Sequence, residues 1–269
     1  NNTMDVDYYG IQAEYGSYYS LNGNTINITN VNNNSNTRAI KFYSSEYCTV
    51  NNNTVTTSAE TRYFYAIDNG ESNSQAIINN NTIELADYDS TQCGWYRADG
   101  SSYYPDNMRG IHIYDPQEIK GNSISLEQYY GGYGIYIYKS SSYNVDTEIE
   151  SNTIDFWSQY TWDYNYGIRI NSSSNNSSYT LVKGNTINIY NAVYEAIQSE
   201  TDNVDFIDNT ISFGARYSQC NFSTASPVGL RLSNSDHHII KGNTITNFAK
   251  GIDLENNTDN VVDSNTIHT

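Results

Sequence analysis

One short pattern recurs along this chain with a fixed internal order: an apolar residue, two spacers, Asn, Thr or Ser, then Ile or Val. With the hydroxyl residue as anchor, it falls at Thr25, Thr54, Thr82, Ser123, Thr153, Thr186, Thr210, Thr244 and Thr266. The residue before each anchor is Asn: Asn24, Asn53, Asn81, Asn122, Asn152, Asn185, Asn209, Asn243 and Asn265. The residue four before is apolar: Leu21, Val50, Ile78, Ile119, Ile149, Val182, Phe206, Ile240 and Val262. A partial copy, Asn1-Asn2-Thr3-Met4, opens the sequence, and successive anchors lie 22 to 41 residues apart. A unit of that size cannot bury an apolar face alone, so self-similarity at this spacing constrains the chain to a stacked architecture.

A second piece lies between anchors: a small residue followed by Ile or Leu, then alternation. Its copies are Gly10-Ile11, Ala39-Ile40, Ala66-Ile67, Gly110-Ile111, Gly134-Ile135, Gly167-Ile168, Ala196-Ile197, Gly229-Leu230 and Gly251-Ile252. Period-two alternation over four or five residues predicts strands, and no helical stripe of useful length competes. Three short strands per unit, stacked unit on unit, predict an all-β fold: a single-stranded parallel β-helix of about nine coils. With coils about 4.8 Å apart, the rod would be on the order of 40 Å long. The whole chain, 1–269, reads as one such domain without evident capping helices. Asn before each anchor fits a turn, because Asn tolerates left-handed backbone angles and bonds its own local backbone. Stacked copies would also form an amide ladder.

Lys183-Gly184-Asn185-Thr186-Ile187 and Lys241-Gly242-Asn243-Thr244-Ile245 resemble the repeats of right-handed parallel β-helix proteins of the pectate-lyase-like superfamily, and the resemblance covers essentially the whole chain. It implies the right-handed fold. It leaves the function open among polysaccharide lyases, uronate epimerases, phage tailspikes and adhesin-like surface proteins.

Composition narrows the partners. The net charge of -17 argues against nucleic acid and anionic membranes as partners, and only 13 Lys+Arg argue against a basic groove. No run of 18 apolar residues exists, so no membrane insertion is expected. Cys48, Cys93 and Cys220 lack metal-type spacing, which leaves free thiols or one disulfide plus one thiol open. No cofactor is expected. Calcium is the one metal left open, through Asp87 with Asp89 or Glu148 with Glu150, although no run gathers the six to eight oxygens it needs.

The coils vary in length mainly between an anchor and the next small-Ile piece, from 8 to 29 residues, so insertions collect on one edge. That edge holds Tyr63, Phe64, Trp95, Tyr96, Tyr103, Tyr104, Tyr130, Trp157, Trp162 and Tyr164. Exposed aromatic rings there would contact a polysaccharide, a glycan surface or another protein. A chemical candidate lies elsewhere. The outward position after each small-Ile pair reads Gln12, Lys41, Asp68, His112, Tyr136, Arg169, Gln198, Arg231, Asp253. In-register stacking would make Asp68, His112, Tyr136 and Arg169 neighbours, with Lys41 beside them and Arg38 and Arg109 two residues before the Ile. Arg169 or Lys41 could neutralise a sugar carboxylate, and Tyr136 or His112 could serve as base and acid. The same row is also what an ion-paired strand face looks like.

These features carry two expectations. The first is an extracellular or cell-surface rod, an adhesive or filament-forming module with a carbohydrate-contacting edge, whose uncapped ends pair with further copies. The alternative is a lyase, epimerase or hydrolase acting on a uronate-containing polysaccharide.

Overall fold

The structure is a computed structural model that describes residues 2–29, 37–57, 63–70, 75–86, 107–128, 132–158, 165–173, 177–191, 195–214 and 226–269. Among these residues there is no helix, and the strands form three parallel sheets. Sheet A has ten strands and takes the Asn-Thr-Ile segments, from Thr3–Val6 to Thr266–His268. Sheet B has nine and takes the small-Ile segments, from Tyr9–Glu14 to Lys250–Glu255. Sheet C has eight and takes the leads into each anchor, from Thr49–Asn51 to Val261–Asp263. From Thr25–Ile28 on, the chain visits A, B and C in turn, and strands pair with their equivalents in the neighbouring coils. This is a parallel β-helix, right-handed by the rule that governs parallel crossovers.

Thr25, Thr54, Thr82 and Ser123 pair side by side, although 29, 28 and 41 residues separate them. Coils of different length therefore keep the same register. A one-residue slip would turn every inward Ile outward, which fixes the register. The inward Ile, Leu, Val and Phe form one continuous core, including Ile124, Ile135, Ile154, Phe156, Ile187 and Phe206, each at most 1% exposed. Phe64, counted above with the aromatic edge, belongs to that core.

The anchor asparagines form one column. Nδ2 of Asn24 donates to Oδ1 of Asn53, and the same bond repeats through Asn81, Asn122, Asn152, Asn185, Asn209, Asn243 and Asn265, at 2.9–3.0 Å. Asn2 extends the ladder by one step onto Asn24, at 3.0 Å. From Asn53 on, Nδ2 also donates back to the carbonyl of the apolar residue four before the previous anchor, as in Asn152 to Ile119 O at 2.9 Å. The turn role expected of these asparagines is corrected. The left-handed residue is the one before, Asn52, Asn80, Ser151 and Asp208 in some coils and Gly121, Gly184 and Gly242 in others. The anchor Asn keeps ordinary angles and points its amide along the stack.

Candidate functional site on sheet B

The small residue of each small-Ile pair shapes sheet B. A Cβ added at Gly134 would lie 2.6 Å from Gly167 O and 2.7 Å from Cγ2 of Ile154, a core residue. Gly134 therefore faces inward, as does its neighbour Ile135 in the core. Two successive inward residues break the alternation, so positions 133 and 136 share the outer face. Sheet B thus presents two adjacent outer columns instead of one.

The first is the row read from the sequence: Gln12, Lys41, Asp68, His112, Tyr136, Arg169, Gln198, Arg231 and Asp253 pair coil to coil in that order. The second comprises Tyr9, Arg38, Tyr65, Arg109, Tyr133, Tyr166, Glu195, Val228 and Lys250. Of these, sequence reasoning singled out only Arg38 and Arg109. Tyr65, Tyr133, Tyr166 and Glu195 hold the same place in the repeat, and that place was the available signal.

The columns interlock at the third to sixth coils. His112 Nδ1 lies 2.7 Å from Oδ1 of Asp68, which also accepts the Gly70 N–H at 3.1 Å. Asp68 Oδ2 accepts from Arg38 Nε. The His112 ring sits against Tyr136 (5.0 Å between centroids), Tyr65 and Tyr114 (5.6 Å each). Arg109 lies between the rings of Tyr65 and Tyr133, at 4.9 and 5.0 Å, and 5.3 Å from Tyr136. Among the described residues no carboxylate pairs with Arg109. Arg169 lies over Tyr166 at 4.9 Å and donates to Asn171 Oδ1 (3.1 Å) and the Tyr133 hydroxyl (3.4 Å). Arg169 also meets Glu200 at 3.8 Å, whereas Arg109, held on tyrosine faces, keeps its Nε without a hydrogen-bond partner among the described residues.

The flanks are paired off. Lys41 meets Glu14 at 3.4 Å, and Arg231 meets Glu195 and Glu255. The ion-paired face expected as the bland alternative describes these flanks but not Arg109. Six of the chain's 13 basic residues (Arg38, Lys41, Arg109, Arg169, Arg231, Lys250) stand in the two columns, against three acids, Asp68, Glu195 and Asp253, while Glu14, Glu200 and Glu255 two residues beyond the first column pair with Lys41, Arg169 and Arg231. The low basic count of the whole chain therefore concealed a local concentration on one sheet.

Burial orders the protons of the centre. Burial alone would raise Asp68, but the His112 hydrogen bond and the charges of His112 and Arg38 hold its carboxyl below the usual range. Burial lowers His112; its bond to Asp68 offsets part of this, and the Arg109 charge adds to the lowering. The pair is thus an ionised carboxylate accepting from Nδ1–H of a neutral imidazole, which makes Nε2 the basic nitrogen. Burial raises Tyr136, against the opposing charge of Arg169, so its phenol keeps its proton at neutral pH. Among the described residues no group of three or more His, Cys, Asp or Glu gathers around a metal-sized space. Cys48 is a buried free thiol, while Cys93 and Cys220 lie outside the described residues.

Of the expected aromatic edge, Trp95, Tyr96, Tyr103, Tyr104, Tyr130, Trp162 and Tyr164 lie outside the described residues. Trp157 lies within them and is 3% exposed, so its indole is covered and offers no open platform. Burial of so large an apolar ring is the stable arrangement.

Fold and face together define a parallel β-helix with a cationic, tyrosine-lined strip on one sheet. Among solved structures, the chain is similar to the A-module of the mannuronan C-5 epimerase AlgE4 of Azotobacter vinelandii. The TM-score is 0.34 and the identity 12%, over 98% of this chain and 87% of that one. No family model matches the chain, and no curated protein does.

Proposed function

We propose that sheet B binds a uronate-containing polysaccharide and carries out proton transfer at the sugar carbon beside the carboxylate. The observation that carries this reading is Arg109, stacked between two tyrosines without a carboxylate partner among the described residues, directly beside the Asp68–His112 pair and Tyr136. A carboxylate seated on Arg109 and Arg169 has its charge neutralised, which makes the adjacent C–H more acidic. His112 Nε2 takes that proton, and Asp68 fixes the tautomer and stabilises the imidazolium that forms. Tyr136 is the acid. It returns a proton to the same carbon from the other face in an epimerisation, or protonates the departing glycosidic oxygen in an elimination. Burial supports the acid role for Tyr136, because a phenol with a raised pKa is a poor base at neutral pH and keeps the proton it would donate. Such polymers lie outside cells, so this reading carries with it an extracellular or cell-surface location.

The second reading is adhesion without turnover, in which the same face holds the polymer and the rod displays it. The ion-paired flanks favour it, since they belong to a surface built for contact. One assay separates the two. The chain is incubated with alginate and with polygalacturonate, and ultraviolet absorbance of unsaturated ends is followed together with exchange of solvent deuterium into the sugar. Turnover lost in His112→Gln and reduced about a hundredfold in Tyr136→Phe supports the assigned roles. Binding without either signal leaves the adhesive reading, and no binding to either polymer removes both.

A further inference from the structure

Three tyrosines at the corner between sheets B and C hold a backbone conformation that suits them poorly. Tyr15, Tyr18 and Tyr47 have φ of 54°, 62° and 56°. In other coils the place of Tyr15 is taken by Ser44, Asp115, Asn234 and Asn256, mostly residues that adopt left-handed angles readily. The place shared by Tyr18 and Tyr47 is taken elsewhere by Gln75, Asn203, His237 and Asp259. A bulky ring is therefore used where the repeat itself mostly has Asn or Asp.

Packing does not account for the choice. Tyr15 is 76% exposed, Tyr18 75% and Tyr47 41%. The Tyr18 and Tyr47 rings stack on each other, 5.2 Å apart and 10° from parallel. Tyr15 meets Tyr43 edge to face at 5.5 Å, and Lys41 of the first column lies 5.3 Å from the Tyr43 ring. The rings thus form two pairs at this corner of the rod, one of them reaching Lys41. Strain held at exposed side chains points to function, because nothing in the folded core repays it.

We infer that Tyr15, Tyr18, Tyr43 and Tyr47 form a remote sugar-stacking subsite for the polymer that crosses sheet B. The ligand is the apolar face of a pyranose ring in a non-reacting residue of that polymer. This rests on the proposed function, and two features of the surface favour a glycan over a protein. The surface reaches the cationic strip through Lys41, and it consists of phenol rings that pair an apolar face with a polar edge. Tyr43 stands two coils from Arg109, about 10 Å along the rod, so one extended chain reaches both.

The test is the triple variant Tyr15→Asn, Tyr18→Asn, Tyr47→Asn, with Arg109→Ala as its companion. Asn accepts left-handed angles, so the triple variant is expected to melt at or above the wild-type temperature. In affinity electrophoresis on alginate and polygalacturonate it should bind about tenfold or more weakly. Its remaining binding should keep the wild-type salt dependence, whereas Arg109→Ala should reduce that dependence. Wild-type affinity in the triple variant, with affinity lost in Arg109→Ala, overturns this subsite alone. Affinity lost together with a lower melting temperature also overturns it, by making the tyrosines structural. A wild-type chain that binds neither polymer overturns both the subsite and the sheet B reading.

Discussion

Asn152 sits in the middle of the amide ladder at 1% exposure, and its replacement by Ala tests whether the ladder holds the rod together. Its side chain takes part in four hydrogen bonds. Nδ2 donates to Asn185 Oδ1 and Ile119 O, each at 2.9 Å. Oδ1 accepts from the Asn122 backbone N–H at 3.0 Å and from Asn122 Nδ2 at 2.9 Å. At about 1 kcal/mol net for each bond, the loss is about 4 kcal/mol. The Asn122 N–H and the Ile119 carbonyl also lose a partner in a buried place, so the estimate leans low. Thr153, the adjacent outward residue, is exposed, and Thr153→Ala should stay within about 0.5 kcal/mol of wild type. The measurement is urea unfolding followed by far-ultraviolet circular dichroism. The slope with denaturant is compared as well, since a stacked array can melt in parts. A Asn152→Ala loss below about 1 kcal/mol, at an unchanged slope, would refute the ladder as a source of stability and reduce it to a by-product of coil stacking.

Acid should weaken the fold in two stages. His112 has a folded pKa below its ordinary value of about 6.5, so the unfolded chain takes the proton first, and stability present above pH 6.5 falls as pH drops from there toward the lowered value. Asp68 also lies below its ordinary value of about 3.9, so its contribution is present above that pH and is lost as pH falls through the lowered value. Denaturant midpoints measured across pH should show both stages in wild type and only the lower one in His112→Gln. Lys139 is fully buried, donates to Thr147 Oγ1 at 2.7 Å and to Val145 O, and burial lowers its pKa to about 8. Between pH 8 and about 10.4 the unfolded chain holds a proton that the folded chain lacks, so stability should rise with pH by up to about 3 kcal/mol. Comparing wild type with Lys139→Met over that range isolates the effect, and an equal pH response in the two proteins would dismiss it.

The repeat made the coil count and the strand order legible because each inward residue stacks on its own copy, and a one-residue error in register would expose the core. For the same reason the column from Gln12 to Asp253 could be written down before any coordinates. The second column could not. It exists because Gly134 and its equivalents turn inward beside the following Ile, and a plain period of two places residue 133 on the wrong face. Tyr65, Tyr133, Tyr166 and Glu195 therefore went unnoticed while Arg38 and Arg109, read as neighbours of the site, became part of it. The anchor asparagines show the same division. Their periodicity announced a ladder, but which residue takes the left-handed angle was decided by the backbone path around the corner, one position earlier. Burial set the remaining terms, since the exposure of Trp157, the proton on His112 and the neutrality of Tyr136 depend on what the neighbouring coils lay over each side chain. By itself, the sequence determined which side chains lie over one another from coil to coil. Only the tertiary structure decided which of them share a face and which lose contact with water, because both depend on a backbone bend that one-dimensional spacing does not record.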